Sequence, residues 1–158
     1  MTVQSQIINV LIIDDDEQIC STLSTILNDE GYAIEIAKTG KQAIKTCKKT
    51  PFDVALIDIV LPDINGTELL LKLKQIQPKM ANIFITGHPS IENAVKAIDE
   101  KADGYIIKPA NVQLILNAIK KAITDKQNEY FQMFTEVENE KKNTPTLKYQ
   151  HPENWRDP

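Results

Sequence analysis

Four short apolar runs in this chain each end on a polar side chain able to do chemistry. Ile7 to Ile13 runs into Asp14-Asp15-Asp16, Val54 to Ile57 into Asp58, Asn82 to Ile85 into Thr86, and Gly104 to Ile107 into Lys108. Each has an ordinary explanation by itself. An acid at such a place is often a loop residue or a helix cap, a threonine a strand residue, a lysine a solvated charge. Four in succession are much harder to explain that way. Three carboxylates gathered in one pocket repel and raise one another's pKa unless a cation intervenes. Hard oxygen ligands with an open side suit Mg²⁺, which keeps several waters and takes few protein ligands. A carboxylate, a divalent ion, a hydroxyl and a fixed ammonium together suit phosphoryl transfer, where the protein positions groups and neutralises charge. Asp58 would then be the nucleophile, forming an aspartyl phosphate.

The elements that must bring these residues together are readable from the same runs. A short apolar stretch bounded by breakers fits a strand buried on both faces. Between the strands lie amphipathic helical patterns. Ile19, Leu23, Ile26 and Leu27 repeat at helical spacing until Gly31, and Thr39 caps a helix carrying Ala43, Ile44 and Cys47 that Pro51 ends. Leu69, Leu70 and Leu73 mark a third helix. Ser90 caps a fourth, with Ile91, Ala94, Val95 and Ile98 as its apolar face, and Asn111 caps a fifth with Leu114, Ile115, Ala118, Ile119 and Ala122. Tyr32 to Ala37 alternates like a strand near a sheet edge. Five strands alternating with five helices predict an α/β fold, a doubly wound five-stranded parallel sheet with helices on both faces. All strand C-termini of such a sheet open on one edge, so Asp14, Asp15, Asp58, Thr86 and Lys108 converge there.

Composition narrows the class. The chain has 158 residues, 42% of them hydrophobic, enough for one sizeable core. A net charge of −4 offers no basic footprint, so no nucleic-acid partner is expected. No apolar run approaches the ~20 residues that span a bilayer, and Met1 to Asn9 lacks the pattern of a signal peptide. The two cysteines, Cys20 and Cys47, have no metal-ligand spacing and are expected reduced and half-buried. These features point to a soluble, cytoplasmic protein without membrane contact.

With these residues in place, the chain resembles a response-regulator receiver domain of two-component signalling. The segments that carry the resemblance are LIIDDDEQ, DVALIDIVLPDINGTELL, FITGHPS and GYIIKP, within Ile7 to Ile123. It implies a flavodoxin-like strand order 2-1-3-4-5, whose switch point sets Asp14 and Asp15 beside Asp58. It further implies a phosphorelay role in which Asp58 accepts a phosphoryl group from a sensor histidine kinase or phosphotransfer protein. Mg²⁺ would be held by Asp15, Asp58 and the backbone carbonyl of Val60, with Asp14 acting through water. Thr86 and Lys108 would contact the phosphoryl oxygens, Gly87 would leave room for the group, and Tyr105 would be the aromatic switch that follows Thr86. The Lys108-Pro109 bond would be cis. Asp16 is an extra acid in the first loop, and His88 a rim residue over the pocket. A downstream protein target would read the altered surface around the fourth and fifth strands and their helices.

Three other readings compete. A degenerate receiver that recognises partners without phosphorylation is disfavoured, because every expected site residue is present. A haloacid-dehalogenase-like phosphatase would use Asp14 as nucleophile and Asp16 as the acid of a D-x-D motif, but Glu17-Gln18 follows where that family has other residues, and no downstream acid pair stands at a clear strand end. The chain could also be the receiver portion of a hybrid sensor kinase. The expected organisation is a receiver over 7–124, a helical extension over 125–142 and an irregular tail over 143–158, with no room in the last two for a winged helix. Leu116, Ile119, Ile123, Lys126, Tyr130, Met133 and Val137 step by three and four, a heptad seam with one polar interruption. It predicts either a homodimer through the 111–139 helix or folding of Tyr130, Phe131 and Phe134 back onto the receiver.

Overall fold

The computed structural model describes residues 6–143. Five strands, β1 (Asn9–Ile13), β2 (Ala33–Ala37), β3 (Val54–Ile57), β4 (Ala81–Thr86) and β5 (Gly104–Ile107), form one sheet in the order β2-β1-β3-β4-β5. Every pairing is parallel. Five helices alternate with them: α1 (Glu17–Asp29), α2 (Gly40–Lys49), α3 (Gly66–Ile76), α4 (Ile91–Asp99) and α5 (Val112–Asn143). The architecture and strand order are those expected, and β2 does lie at the edge. Its outward edge position explains why it alternates while the inner strands are continuously apolar.

Period-two alternation within the strands builds two cores. Val10, Ile12, Val54, Leu56, Ile83, Ile85 and Ile106 face α1 and α5, where they meet Leu23, Leu27, Ile115, Leu116 and Ile119. Leu11, Ile13, Ala55, Ile57 and Phe84 face the other way, against Ala43, Cys47, Leu69, Leu70 and Leu73. Burying each large side chain contributes roughly 1.5–3 kcal/mol. Truncating fully buried Phe84 to alanine should cost about 3–5 kcal/mol.

The caps fall where the sequence put them. Thr39 Oγ1 accepts from the Gln42 amide, Ser90 Oγ from Asn93 and Asn111 Oδ1 from Leu114. The cysteines are free as expected, but fully buried rather than half-buried. Cys20 Sγ donates to the Asp14 carbonyl at 3.2 Å, and burial pushes both thiols up to about 11.

One helix faces the other way from its pattern. Ile91 and Ile98 on α4 are 85% and 75% exposed, and Val95 is also exposed, while Ala97 is buried. The alanine side lets the helix lie close to its neighbours, and the bulky stripe is left in solvent. The periodicity marked the stripe correctly, and the structure turns it outward. An apolar stripe of this kind marks an interaction surface more often than a defect.

Helix α5 runs unbroken for 32 residues, joining the predicted fifth helix to the predicted extension. Of its heptad positions, Leu116 and Ile119 are buried in the core and Ile123 packs against it. Lys126 Nζ lies 3.8 Å from Asp103 and 3.7 Å from Glu129, and the Lys79 ammonium sits 5.4 Å over the Tyr130 ring. Five positions of the seam therefore serve the receiver. Beyond them Phe131, Met133, Phe134 and Val137 are exposed, so Phe131 and Phe134 do not fold back. Of the tail read over 143–158, Asn143 is helical and the rest lies outside the described residues. Among the described residues no helix is long and apolar enough to cross a membrane.

Candidate functional site

Register brings the acids together. Ile13 pairs with Ile57 across β1 and β3, so the next residues, Asp14 and Asp58, come side by side. The Asp58 amide donates to the Ile13 carbonyl at 2.9 Å, and the Asp14 amide to Ala37 at 3.1 Å. On the other side Thr86 pairs with Ile107, and the Lys108 amide bonds the Thr86 carbonyl at 2.8 Å. The Lys108–Pro109 peptide is cis.

Asp14, Asp15 and Asp58 each present a carboxylate oxygen within 4.8 Å of the others. Asp14 and Asp58 are buried, and Asp15 is exposed at the mouth. Lys108 Nζ stands between the buried pair, 2.6 Å from Asp14 Oδ2 and 3.3 Å from Asp58 Oδ2. Burial pushes the Asp58 carboxyl above its ordinary range. The Lys108 ammonium opposes that push, Asp14 adds to it, and the Val60 amide, donating to Oδ1 at 3.2 Å, opposes it again. For Lys108, burial works against the charged form, but the bonds and charges of Asp14 and Asp58 outweigh it and hold the ammonium firmly protonated. One lysine against three carboxylates leaves the pocket with excess negative charge. A hard divalent cation fits that donor set: oxygen ligands only, clustered, with one side open.

Thr86 is fully buried, and its Oγ1 accepts from the His88 amide at 3.1 Å, leaving its own proton to donate. His88 is exposed at the rim, as expected. Gly87 is exposed too, and a Cβ there would meet only Lys108 Cδ at 3.8 Å, so packing alone does not demand glycine. Tyr105, beside Phe84 in the β4–β5 register, stacks edge-on to it at 6.5 Å, and its hydroxyl is buried without a hydrogen-bond partner. Val60 is exposed next to the acceptor.

Asp16 is the N-cap of α1. Its Oδ1 accepts from the amides of Gln18 (2.9 Å) and Ile19 (3.2 Å), so it is committed to the helix and not to the pocket. No D-x-D pair is assembled, which removes the structural basis of the phosphatase reading. Sequence reasoning also missed how the loop after Asp58 is held. The Gly66 amide bonds the Ile59 carbonyl at 2.7 Å, and a Cβ at Gly66 would stand 2.5 Å from the Asp58 carbonyl oxygen. Only glycine permits that return. Asn65 Oδ1 caps α3 through the Thr67 amide at 2.8 Å. The Asn-Gly pair ahead of the helical pattern was the available signal.

The comparisons agree with this geometry. The family model for the response regulator receiver domain matches residues 10–120. A putative response regulator, NtrX-like, from Rickettsia bellii (strain RML369-C) is 34% identical over 151 residues, covering 90% of this chain and 32% of that protein. The crystal structure of a CheY-like response regulator receiver domain protein from Methanospirillum hungatei JF-1 superposes with a TM-score of 0.75 at 40% identity, covering 78% of this chain and 99% of that one. A response regulator from Burkholderia pseudomallei, solved with a phosphorylated aspartic acid, calcium ion and citrate, matches with a TM-score of 0.69 at 31% identity over 87% of each chain. The chain belongs to the response regulator receiver domain family, a class of signalling domain of two-component systems. It spans from 25% to 44% of the length of curated relatives that it matches.

Proposed function

We propose that this chain stores a signal as a phosphoryl group on Asp58. The supporting observation is the convergence of three carboxylates within 4.8 Å of one another, with the Lys108 ammonium 3.3 Å from Asp58. The donor is a phosphohistidine of a sensor kinase or phosphotransfer protein. An Asp58 oxygen forms the new P–O bond as the donor's N–P bond breaks, and the electron pair stays on the imidazole nitrogen, which takes up a proton. Asp15, Asp58 and the Val60 carbonyl, with Asp14 through water, would hold Mg²⁺, which supplies charge neutralisation at the phosphoryl oxygens. Lys108 is already ionised and needs only to turn from Asp58 toward a phosphoryl oxygen. The Thr86 hydroxyl donates to another, and its movement draws on Tyr105, whose buried hydroxyl has no present bond to lose. Gly87 keeps the space above the acceptor open.

The output is a changed surface for a downstream protein target, made around α4, β5 and α5, where Ile91, Val95, Ile98, Ile107 and Leu114 are exposed. Helix α5 adds a self-association element through Phe131, Met133, Phe134 and Val137. The predicted lack of nucleic-acid contact is a statement about these 158 residues alone.

The test is phosphorylation by acetyl phosphate with Mg²⁺, followed by borohydride trapping and mass mapping. Label at Asp58 supports the proposal, and label at Asp14 overturns it. Removing residues 131–158, beyond the last seam position that packs on the receiver, should leave labelling intact and convert a dimer into a monomer in sedimentation. A full chain monomeric with and without beryllofluoride would sink the self-association part.

A further inference from the structure

We propose that Asp63 is a positioning residue for the metal and phosphoryl chemistry, because it pins the loop that follows the acceptor to the first turn of α2. The inference rests on the function proposed above. Asp63 Oδ1 accepts from the Gly40 amide and Oδ2 from the Lys41 amide, both at 2.9 Å. Those two bonds hold its carboxyl below the ordinary range. A helix start leaves its first amides without intrahelical partners. In α2 the first two are taken by Asp63 and the third by Thr39, at 3.0 Å. The helix is therefore completed by a residue of the acceptor loop.

The attachment is steric as well as polar. A Cβ at Gly40 would lie 2.1 Å from Ile64 Cγ2, so the bare glycine backbone is the seat on which the loop rests. The loop is thus held twice: at its far end by the close return of Gly66 onto Asp58 and Ile59, and at its middle by Asp63 and Ile64 on α2. Between those fixed points it carries Val60, whose amide already bonds Asp58 and whose carbonyl is a proposed metal ligand. The Val60–Asn65 bridge closes the same loop. Releasing Asp63 frees the Val60 carbonyl and the acceptor together, although Asp63 touches neither. Groups that orient metal ligands from outside typically change affinity by about 10–100-fold when removed.

The experiment compares Asp63→Ala and Gly40→Ala with Thr39→Ala. The Thr39 variant removes a bond from the same helix turn but has no link to the acceptor loop. Mg²⁺ affinity is read from amide chemical shifts, and hydrogen exchange of the Gly40 and Lys41 amides and of residues 59–65 is read in metal-free protein. Asp63→Ala and Gly40→Ala should weaken Mg²⁺ by about tenfold or more and speed loop exchange. Asp63→Asn, keeping one acceptor oxygen, should fall between them and the parent. Thr39→Ala should leave the Mg²⁺ affinity within about twofold. Equal losses in Thr39→Ala and Asp63→Ala would reduce Asp63 to a helix cap and overturn the proposal, as would unchanged affinity in both loop variants. A parent protein that takes up no Mg²⁺ defeats the proposed function and the metal half of this one, and loop exchange then decides the latch by itself.

Discussion

Where the strands of this sheet begin, Asp53 and Asp103 each precede a strand and each accept an amide from the start of a neighbouring strand. Asn9 donates to Asp53 at 2.8 Å and Asn82 to Asp103 at 2.8 Å. Where the strands end, Asp14, Asp15 and Asp58 face one another, and a single lysine pairs with Asp14 and Asp58. At the lower edge Asp53 is exposed and Asp103 only partly buried, yet burial raises the Asp103 carboxyl as it raises that of buried Asp58. The lower acids are satisfied by backbone amides and, for Asp103, by Lys126. The upper acids are left in mutual repulsion that stability alone does not require. Burial of a charged group therefore does not identify a site. Unresolved like charge around it does.

The comparison can be broken most sharply by neutralising one acid at each edge. Asp58→Asn should abolish phosphoryl uptake from acetyl phosphate, a loss of about a hundredfold or more, while Asp103→Asn should keep uptake near the parent rate. Equal uptake in parent and Asp58→Asn would erase the distinction.

Stability should move in opposite directions. Asp103→Ala leaves the buried Asn82 amide without its acceptor and should cost about 1–3 kcal/mol in urea unfolding. Asp58→Asn removes a repelled charge and should raise the melting temperature of the metal-free protein by about a few degrees.

The pH dependence sharpens this further. A carboxyl whose pKa is raised by folding disfavours the fold while ionised and ceases to do so once protonated. The advantage of Asp58→Asn should be largest near neutrality and shrink as pH falls through the elevated Asp58 pKa. An advantage that is flat with pH would show that packing, not charge, produced it.

The smallest effect concerns lifetime. Val60 has no group to hold a water in line with the phosphoryl group, so self-dephosphorylation should be slow. Val60→Asn supplies an amide and should shorten the half-life several-fold in a decay assay. No change would place the control elsewhere on the rim.

What the sequence reveals here is whatever depends on period and punctuation. The inner strands are legible because burial on both faces leaves an unbroken apolar run, and Asp14, Asp58, Thr86 and Lys108 because they end those runs. Orientation is less legible. The Ile91, Val95 and Ile98 stripe has helical spacing whichever way it faces, and only the packing on Ala97 decides. Lys126 reads as a flaw in a heptad until Asp103, distant in sequence, is placed beside it. Asp16 cannot be told from its two neighbours by type, only by the amides it caps. Asp63 is silent in the sequence because its partners lie 22 and 23 residues away, in a different helix.

Helix α5 has a mechanical consequence. At 1.5 Å per residue its 32 residues make a rod about 48 Å long. Its near half is keyed to the sheet as far as Tyr130, and the remainder projects about 20 Å to Asn143. A tilt of about 10° at the keyed end would sweep the far tip through roughly 3–4 Å, by the geometry of a rod of that length. Sub-ångström shifts along β4 and β5 would thus be magnified at the tip to the width of a methyl group. The projecting arm would turn a small rearrangement beside the pocket into a displacement large enough to break or make side-chain packing far from it.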